Sequence, residues 1–141
     1  RDFTALTRVL ADTDVCKACH PGVEVREYIY DMPIVMAAAD LVLCRSGAST
    51  ISELAAIAKP AILVPSPNVT ADHQTKNAKV MADAGGAVLL PEKECSGGRL
   101  CEEASALLRD GIRREPMARA LTCLSVPDAN EKIYAALQTL L

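Results

Sequence analysis

Three short stretches of this chain are apolar without interruption: residues 41–44, 61–64 and 87–90. Strands covered on both faces of a sheet have this pattern, because neither face alternates with polar side chains. Elsewhere apolar side chains recur every three or four residues, which predicts helices over residues 33–39, 50–58, 72–84, 97–110, 114–124 and 128–140. Strands that alternate with helices over short loops are typical of a parallel sheet, so we predict an α/β fold.

The N-terminal part of the chain has weaker patterns. A helix is predicted over residues 2–11, a polar loop over 12–22 and a partly alternating strand over 23–29. Near the C-terminus, Pro116 is expected in the first turn of the helix 114–124, and Asp128 is expected to cap the last helix.

Composition narrows the class of protein. With 141 residues, half of them apolar and only 3% aromatic, the chain is long enough for one domain with a core of small aliphatic side chains. The formal net charge of −3 is dispersed along the sequence, so we expect no nucleic-acid partner. No apolar run approaches the roughly 20 residues of a membrane-spanning helix. Because the chain starts at Arg1, inside a predicted helix, we expect it to be a piece of a longer protein.

The six cysteines, at positions 16, 19, 44, 95, 101 and 123, favour free thiols over a disulfide scaffold, since several lie in apolar stretches. Cys16-Lys-Ala-Cys19-His20 matches the pattern of covalent haem attachment. Haem would need export and an aromatic-lined pocket, so a chance match or a labile metal-binding loop is favoured. A zinc site there lacks a convincing fourth ligand, although Cys44 remains a candidate. We predict neither a cofactor nor a resident metal.

Two loops follow predicted strands, at the sheet edge where ligands of parallel sheets bind. The first, Arg45-Ser-Gly-Ala-Ser-Thr50, is small and rich in hydroxyls, and it leads into a helix whose first amides lack partners. Such a loop accepts a phosphate or diphosphate through backbone amides and the helix dipole. Gly47 allows a ligand to approach the backbone closely, and Arg45 either adds charge or orders the loop.

A second interpretation applies to the same segment. Thr50-Ile-Ser-Glu53 fits a capping box, in which the Thr50 and Glu53 side chains satisfy each other's backbone amides. For Thr50 the two roles are compatible. For Glu53 they compete, because a carboxylate folded back onto the cap cannot also bind a ribose diol.

The second loop, residues 65–74, ends in Asp72, His73 and Gln74, with Asn77 one helical turn further on. Neutral donors and acceptors of this kind suit sugar hydroxyls better than a charged substrate. The alternative is an ordinary solvated helix start that is capped by Thr70 or Asp72. A single His without a partner is weak evidence for a general base.

Four motifs in the same order resemble the signature of the MurG family, the N-acetylglucosaminyltransferases that convert lipid I to lipid II in bacterial cell-wall synthesis. They are ADLVLCRSGASTISELAA at residues 39–56, KPAILVP at 59–65, DHQTKNA at 72–78 and AGGA at 84–87. The resemblance is densest over residues 23–90. It implies a GT-B-type glycosyltransferase of two facing Rossmann-like halves, of which residues 1–141 are most of the C-terminal, donor-binding half.

The resemblance also implies a role for each candidate position. The backbone of Ile29 meets the uracil, Arg45 and Gly47 shape the phosphate loop, amides near Ser49 and Thr50 hold the diphosphate, Glu53 binds the ribose, and His73 and Gln74, with Asn77 in the same polar cluster, bind the sugar. Many members of the family carry Gln where this chain has His73. The resemblance favours the ligand role of Glu53 over the capping role.

The same resemblance implies that the acceptor, lipid I, is bound by a separate N-terminal half. That half also supplies the catalytic base and a peripheral contact with the cytoplasmic face of the membrane, so no catalytic residue is assigned in this chain. Two alternatives stay open: a UDP-GlcNAc epimerase of the same architecture, and a stand-alone UDP-sugar-binding subunit of a split transferase.

Overall fold

The structure is a computed structural model that describes Glu24 and residues 26–140. The chain divides into two compact units, of which the first ends at Met32 and the second comprises Pro33–Leu141. The predicted helix over residues 2–11, the loop over 12–22 and the motif at Cys16, Cys19 and His20 lie outside the described residues.

The predicted strand over residues 23–29 is wrong for the part that the structure describes. Glu24 and residues 26–29 have irregular backbone. The Arg26 Nε donates to Glu24 Oε1 at 2.6 Å, and the Tyr28 side chain is 68% exposed. Alternation alone does not make a strand, because the backbone also needs a neighbouring strand with which to exchange hydrogen bonds.

Helices and strands alternate from Met32 onwards. In chain order they are α1 (Met32–Ala38), β1 (Val42–Cys44), α2 (Ala48–Ala56), β2 (Ala61–Leu63), α3 (His73–Asp83), β3 (Ala87–Leu89), α4 (Gly97–Arg109), α5 (Gly111–Leu124) and α6 (Ala129–Gln138). The three strands form a parallel sheet in the order β1-β2-β3, with Ile62 in register with Leu43 on one side and Val88 on the other. The strands predicted over residues 41–44, 61–64 and 87–90 are confirmed to within one residue.

The central position of β2 in the sheet explains why its sequence is apolar throughout. Ala61 and Leu63 pack on one face of the sheet with Leu54 of α2 and Met81 of α3. On the other face, Ile62 lies in a second cluster, with side chains from α4 and α5. All three β2 residues are buried, as expected for a strand covered by helices on both faces.

Gly86 brings α5 close to the sheet. A Cβ atom at Gly86 would lie 2.5 Å from Leu121 Cδ2, whereas real Cβ atoms do not approach other atoms so closely. Leu121 is fully buried in the cluster that contains β2 and β3 residues. The second glycine of the Ala84-Gly-Gly-Ala87 motif therefore serves the packing of α5.

Helix α5 begins earlier than predicted, so the expected position of Pro116 in the first turn is wrong. Asp110 is the N-cap residue, and its Oδ1 accepts a hydrogen bond from Arg113 N at 3.0 Å. Pro116 therefore lies in the second turn, where it leaves the carbonyl of Ile112 without its usual helical donor. The local pattern favours a later start, because Pro is most common at the first helical position.

The last helix, α6, begins after Asp128 as predicted, but the Asp128 side chain does not cap it. Asp128 occupies the N-cap position but makes no side-chain cap hydrogen bond, and its Oδ1 lies 3.0 Å from Lys132 Nζ instead. Its apolar side chains, including Ile133 and Leu137, are exposed. None of the helices in the described part of the chain has the length and apolar character needed to cross a membrane.

Candidate functional site

Three loops meet at one edge of the sheet, because the three strands run parallel. Val64, which follows β2, donates its amide to the carbonyl of Cys44 at the end of β1 (2.9 Å), and Leu90, which follows β3, donates to the carbonyl of Leu63 (2.9 Å). Ligands of open parallel sheets bind at this carboxyl edge. Both loops that the sequence singles out therefore lie where a ligand site is expected.

Helix α2 begins two residues earlier than predicted, so the capping box at Thr50 and Glu53 is wrong. Gly47 is the N-cap residue, and the cap has no side-chain hydrogen bond. The amide of Ile51 donates to the carbonyl of Gly47 at 3.0 Å, which places Thr50 inside the first helical turn. From there its hydroxyl cannot take the place of an N-cap acceptor.

The first turn of α2 has the properties of an anion site. Helix geometry leaves the amides of Ala48, Ser49 and Thr50 without a partner inside the helix, and no loop or cap group among the described residues accepts from them. Glu53, one turn further on, is exposed, and its carboxylate has no ion-pair partner in the part of the chain that the structure describes. Unpaired amides and the positive end of the helix dipole attract phosphate.

Gly47 is not required by the fold. Its φ of −64° and ψ of 152° are open to any residue. A Cβ atom there would meet only Thr50 Oγ1, at an ordinary contact distance of 3.9 Å. The absence of a side chain therefore leaves open space beside the α2 amides, as the prediction of a close ligand approach requires.

Arg45 orders the loops, which is one of the two roles that the sequence leaves open. Its Nη1 donates to Glu92 Oε2 (3.0 Å) and to the carbonyl of Val64 (3.1 Å), and its Nη2 donates to Glu92 Oε1 (3.1 Å). The hydrogen bonds of this bidentate pair lower the pKa of Glu92 and raise that of Arg45. One guanidinium thus connects the ends of all three strands.

Ser46 lies at the centre of the site, although the sequence pattern does not single it out. Its Oγ donates to the backbone carbonyl of Gln74 at 2.8 Å. Its own carbonyl accepts from Asn77 Nδ2 at 3.1 Å. The loop after β1 is therefore held against the first turns of α3 by two hydrogen bonds.

Gln74 and Asn77 both have side chains that already bind protein groups. Gln74 Oε1 accepts from the amide of Ser66 at 2.9 Å, which fixes the loop after β2. Asn77 uses its Nδ2 on the carbonyl of Ser46. For a ligand, Gln74 therefore retains mainly its Nε2 donor, and Asn77 mainly its Oδ1 acceptor.

The start of α3 is formed by two residues in left-handed backbone. Ala71 has φ 55° and Asp72 has φ 51°, a conformation that non-glycine residues rarely adopt. Asp72 is the N-cap residue but makes no side-chain cap hydrogen bond. The alternative of an ordinary capped start at Thr70 or Asp72 is therefore wrong in its capping detail.

His73 is the first residue of α3 and is exposed. Its Nδ1 lies 2.9 Å from the carbonyl of Thr70. Because a carbonyl only accepts, Nδ1 carries the hydrogen, and in the neutral ring Nε2 is then an acceptor. That arrangement gives His73 a group suited to a hydroxyl ligand.

Ile29 belongs to the unit that ends at Met32, where it is half-buried. Its neighbours Tyr28 and Tyr30 stack edge to face, with ring centroids 4.8 Å apart. Its role at the uracil stays a prediction.

A cleft of about 490 Å³ opens beside the loops that follow β2 and β3. Its lining includes Pro65, Asp72, Thr75, Leu89 and Glu92. None of the predicted substrate-binding residues lines it. The cleft lining also includes no residue from the start of α2, so the cleft is separate from the helix amides that could bind an anion.

The cysteines that the structure describes are consistent with free thiols. Cys44, Cys95, Cys101 and Cys123 are all free. Burial raises the pKa of the Cys44 thiol to about 11, so it stays protonated at neutral pH. Within residues 26–140 and Glu24, no three His, Cys, Asp or Glu side chains are grouped as metal ligands. The remaining cysteines lie outside the described residues.

The site residues that the sequence pattern misses share one property, which is that their partners are distant in the chain. Ser46 binds Gln74, Ser66 binds the Gln74 side chain and Glu92 binds Arg45. A signal for Ser46 exists, since it is a hydroxyl residue beside a glycine at a strand end. For Glu92 the sequence offers no local signal.

Comparisons with known proteins show which family this chain resembles. The model of the glycosyltransferase family 28 C-terminal domain matches residues 6–133. A protein of Acetivibrio thermocellus is 41% identical over 121 residues, which are 86% of this chain and 33% of that protein. A protein of Exiguobacterium is 47% identical over 112 residues, which are 79% of this chain and 30% of that protein.

Both relatives are named UDP-N-acetylglucosamine–N-acetylmuramyl-(pentapeptide) pyrophosphoryl-undecaprenol N-acetylglucosamine transferase. The chain spans about a third of the length of these curated relatives. The crystal structure of Acinetobacter baumannii MurG superimposes with a TM-score of 0.81 and 27% identity, over 99% of this chain and 40% of that one. These likenesses confirm the predicted fold class.

Proposed function

Because this chain belongs to the glycosyltransferase family 28 C-terminal domain, we propose that it is the donor-binding domain of an enzyme that transfers N-acetylglucosamine. The donor is UDP-N-acetylglucosamine, as in the names of its relatives, and the acceptor is the undecaprenol-linked N-acetylmuramyl pentapeptide, lipid I. The observation that carries the proposal is the start of α2. Within two helical turns it has an unhindered Gly47, together with amides and a Glu53 carboxylate that have no partner among the described residues.

The diphosphate binds the first turn of α2 in this proposal. The amides of Ser49 and Thr50 donate to its oxygens, and the helix dipole adds favourable potential. Gly47 leaves room for the phosphate to reach them. Arg45 holds the loop through Glu92 and Val64, so it contributes by shape more than by direct contact.

The uridine is assigned to two further residues. Glu53 accepts hydrogen bonds from the two ribose hydroxyls, for which its carboxylate is free. The backbone of Ile29 binds the uracil edge. Both assignments follow from the family resemblance, and the exposure of Glu53 supports the first of them.

The sugar binds at the start of α3. The Nε2 atom of His73 accepts a hydrogen bond from one sugar hydroxyl. The Nε2 group of Gln74 donates a hydrogen bond to another, because the Oε1 atom of Gln74 already accepts from the Ser66 amide. The Nδ2 group of Asn77 holds the loop after β1 by its hydrogen bond to the Ser46 carbonyl, so Asn77 can offer the ligand only its Oδ1 acceptor. One acceptor and one donor next to each other suit neighbouring hydroxyl groups.

The reaction is an inverting transfer. A base in a separate acceptor-binding domain removes the proton from the acceptor hydroxyl, whose oxygen attacks the anomeric carbon, and UDP leaves with the bonding pair. The α2 amides stabilise the negative charge that develops on the diphosphate. That domain also provides the peripheral contact with the cytoplasmic face of the membrane, and the chain alone does not catalyse transfer.

Calorimetric titration of the chain with UDP-N-acetylglucosamine tests the proposal. Glu53→Ala removes two hydrogen bonds to an exposed carboxylate, worth about 1 kcal/mol each in contact with water, and is expected to weaken binding by about thirtyfold. The matched control is Glu102→Ala, since Glu102 is an exposed glutamate on α4. Equal affinities of both variants, or no binding by the unsubstituted chain, would contradict the proposal.

A further inference from the structure

Ser46 is the only buried polar residue in the described part of the chain, with a fractional exposure of 0%. A hydroxyl is costly to bury unless it is hydrogen-bonded, and the Ser46 hydroxyl has a single partner, the backbone carbonyl of Gln74. No buried side-chain oxygen or nitrogen in this part of the chain lacks a partner. The hydrogen bond therefore fixes the loop after β1 at one position against α3, whereas an apolar side chain would not fix that position.

Asn77 holds the same residue by its backbone carbonyl. It lies one helical turn after Gln74, so both bonds to Ser46 come from one face of α3. Ser46 is thereby fixed by its side chain and by its carbonyl. Neither its rotation nor a slide of the loop along α3 is possible without loss of one of these bonds.

The fixed residue lies between the two parts of the proposed site. Ser46 is followed directly by Gly47 and by the amides of α2, which are proposed to bind the diphosphate. Its partner Gln74 is proposed to bind the sugar and also holds Ser66 of the loop after β2. The Ser46 hydroxyl is therefore a direct link between the segment that is proposed to bind the diphosphate and the residue that is proposed to bind the sugar.

We propose that Ser46 is a positioning residue that aligns the sugar-binding start of α3 with the diphosphate-binding start of α2, and so determines how much the sugar adds to nucleotide affinity. The inference rests on the proposed function. Ser46 acts on the sugar through Gln74, and the amides that bind the diphosphate keep their geometry when the Ser46 hydroxyl is removed.

The test compares UDP and UDP-N-acetylglucosamine binding by the chain and its Ser46→Ala variant. The dissociation constant of UDP divided by that of UDP-N-acetylglucosamine measures how much the sugar adds to affinity. This ratio is expected to fall about tenfold in the variant, while the affinity for UDP changes less than about threefold. In a Gln74→Ala background, Ser46→Ala should not change the ratio further. Equal losses for both nucleotides, or a further loss in the Gln74→Ala background, would overturn the inference.

Ser52→Ala is the matched control, because Ser52 also donates through Oγ to a backbone carbonyl, that of Ala48, but is exposed and bonds only within α2. It should leave both affinities unchanged. If Ser46→Ala does not fold, Ser46→Cys has the same number of side-chain heavy atoms but a weaker donor, and it should show the same direction of change.

Amide hydrogen exchange without nucleotide separates this inference from the proposed function. The Ser66 amide, which donates to Gln74 Oε1, should exchange about tenfold faster in Ser46→Ala than in Ser52→Ala. This result supports the positioning role even if the chain binds neither nucleotide, an outcome that would contradict only the proposed function. Unchanged exchange at Ser66 would contradict the positioning role.

Discussion

The starts of helices α2 and α3 lie at the same edge of the sheet and differ in how their polar groups are used. At α2 the amides of Ser49 and Thr50 and the carboxylate of Glu53 have no protein partner among the described residues. At α3 the side chains of Gln74 and Asn77 both bind other loops. The first region is prepared for a ligand, and the second is a support that also presents a few groups to it.

The difference shows that polar residues at a ligand-binding edge need not all contact the ligand. Asn77 has the residue type expected of a sugar contact, yet its donor binds the carbonyl of Ser46. Arg45 has the charge expected of a phosphate contact, yet both of its terminal nitrogens bind Glu92. We therefore expect substitutions at the start of α2 to weaken ligand binding and substitutions at the start of α3 to lower the stability of the fold.

The largest effect is expected from a side chain that blocks access to the α2 amides. Gly47→Val adopts the observed φ and ψ without strain but fills the approach to Ser49 and Thr50. With two charge-assisted hydrogen bonds lost, UDP affinity should fall about a hundredfold, measured by calorimetry. The free energy of unfolding should stay within about 0.5 kcal/mol.

Gly97→Val is the control for that substitution, because Gly97 is at the start of α4 and has open space around it. It should leave UDP affinity unchanged. A comparable loss in both variants would show that the effect is not specific to the α2 amides.

A stability loss, with a smaller effect on binding, is expected at α3. Asn77→Ala leaves the carbonyl of Ser46 without its side-chain donor and should lower the free energy of unfolding by about 1–2 kcal/mol, measured by urea denaturation. Lys76→Ala, an exposed neighbour on the same helix, should change it by less than about 0.5 kcal/mol. If Asn77→Ala strongly weakens UDP-N-acetylglucosamine binding at unchanged stability, Asn77 contacts the sugar directly.

A smaller effect is expected from pH. Since the pKa of Glu92 is lowered from its ordinary value of 4.5 by the hydrogen bond from Arg45, the pair stabilises the folded state above pH 4.5. This contribution is lost as the pH falls through the lower pKa of the folded state. The Arg45 side-chain NMR signals should shift in that acidic window, and Glu92→Gln should abolish the shift. A shift centred above pH 4.5 would show that the pKa of Glu92 is not lowered and would contradict the prediction.

No effect is expected from removal of metal ions. If the α2 amides carry the diphosphate charge, EDTA should leave the UDP affinity of the chain unchanged within error. Restoration of lost affinity by Mg²⁺ after EDTA treatment would mean that the amides alone do not suffice.

The fold is predictable from the sequence where burial alone determines the pattern. β2 is buried on both faces, and a short, continuous apolar run is typical of such a strand. The start of α2 is harder to locate, because Gly47, Ser49 and Thr50 all suit an N-cap and only backbone dihedrals decide between them. The start of α5 is misplaced because Pro116 is a stronger local signal than Asp110.

The site is predictable as a set of segments but not as a network. Position after a strand locates Gly47 and Gln74, because topology brings all strand ends to one edge. The bonds from Ser46 to Gln74 and from Arg45 to Glu92 span 28 and 47 positions in the chain. No local pattern encodes such pairs, so the supporting role of Asn77 and Arg45 becomes visible only in the structure.

The central claim is that the amides at the start of α2 hold the diphosphate, and NMR titration of the chain tests it most directly. Addition of UDP should shift the amide signals of Ala48, Ser49 and Thr50 the most, whereas uridine, which lacks phosphate, should leave them nearly unchanged. Equal shifts with UDP and uridine, or UDP shifts confined to the cleft at Thr75 and Leu89, would contradict it.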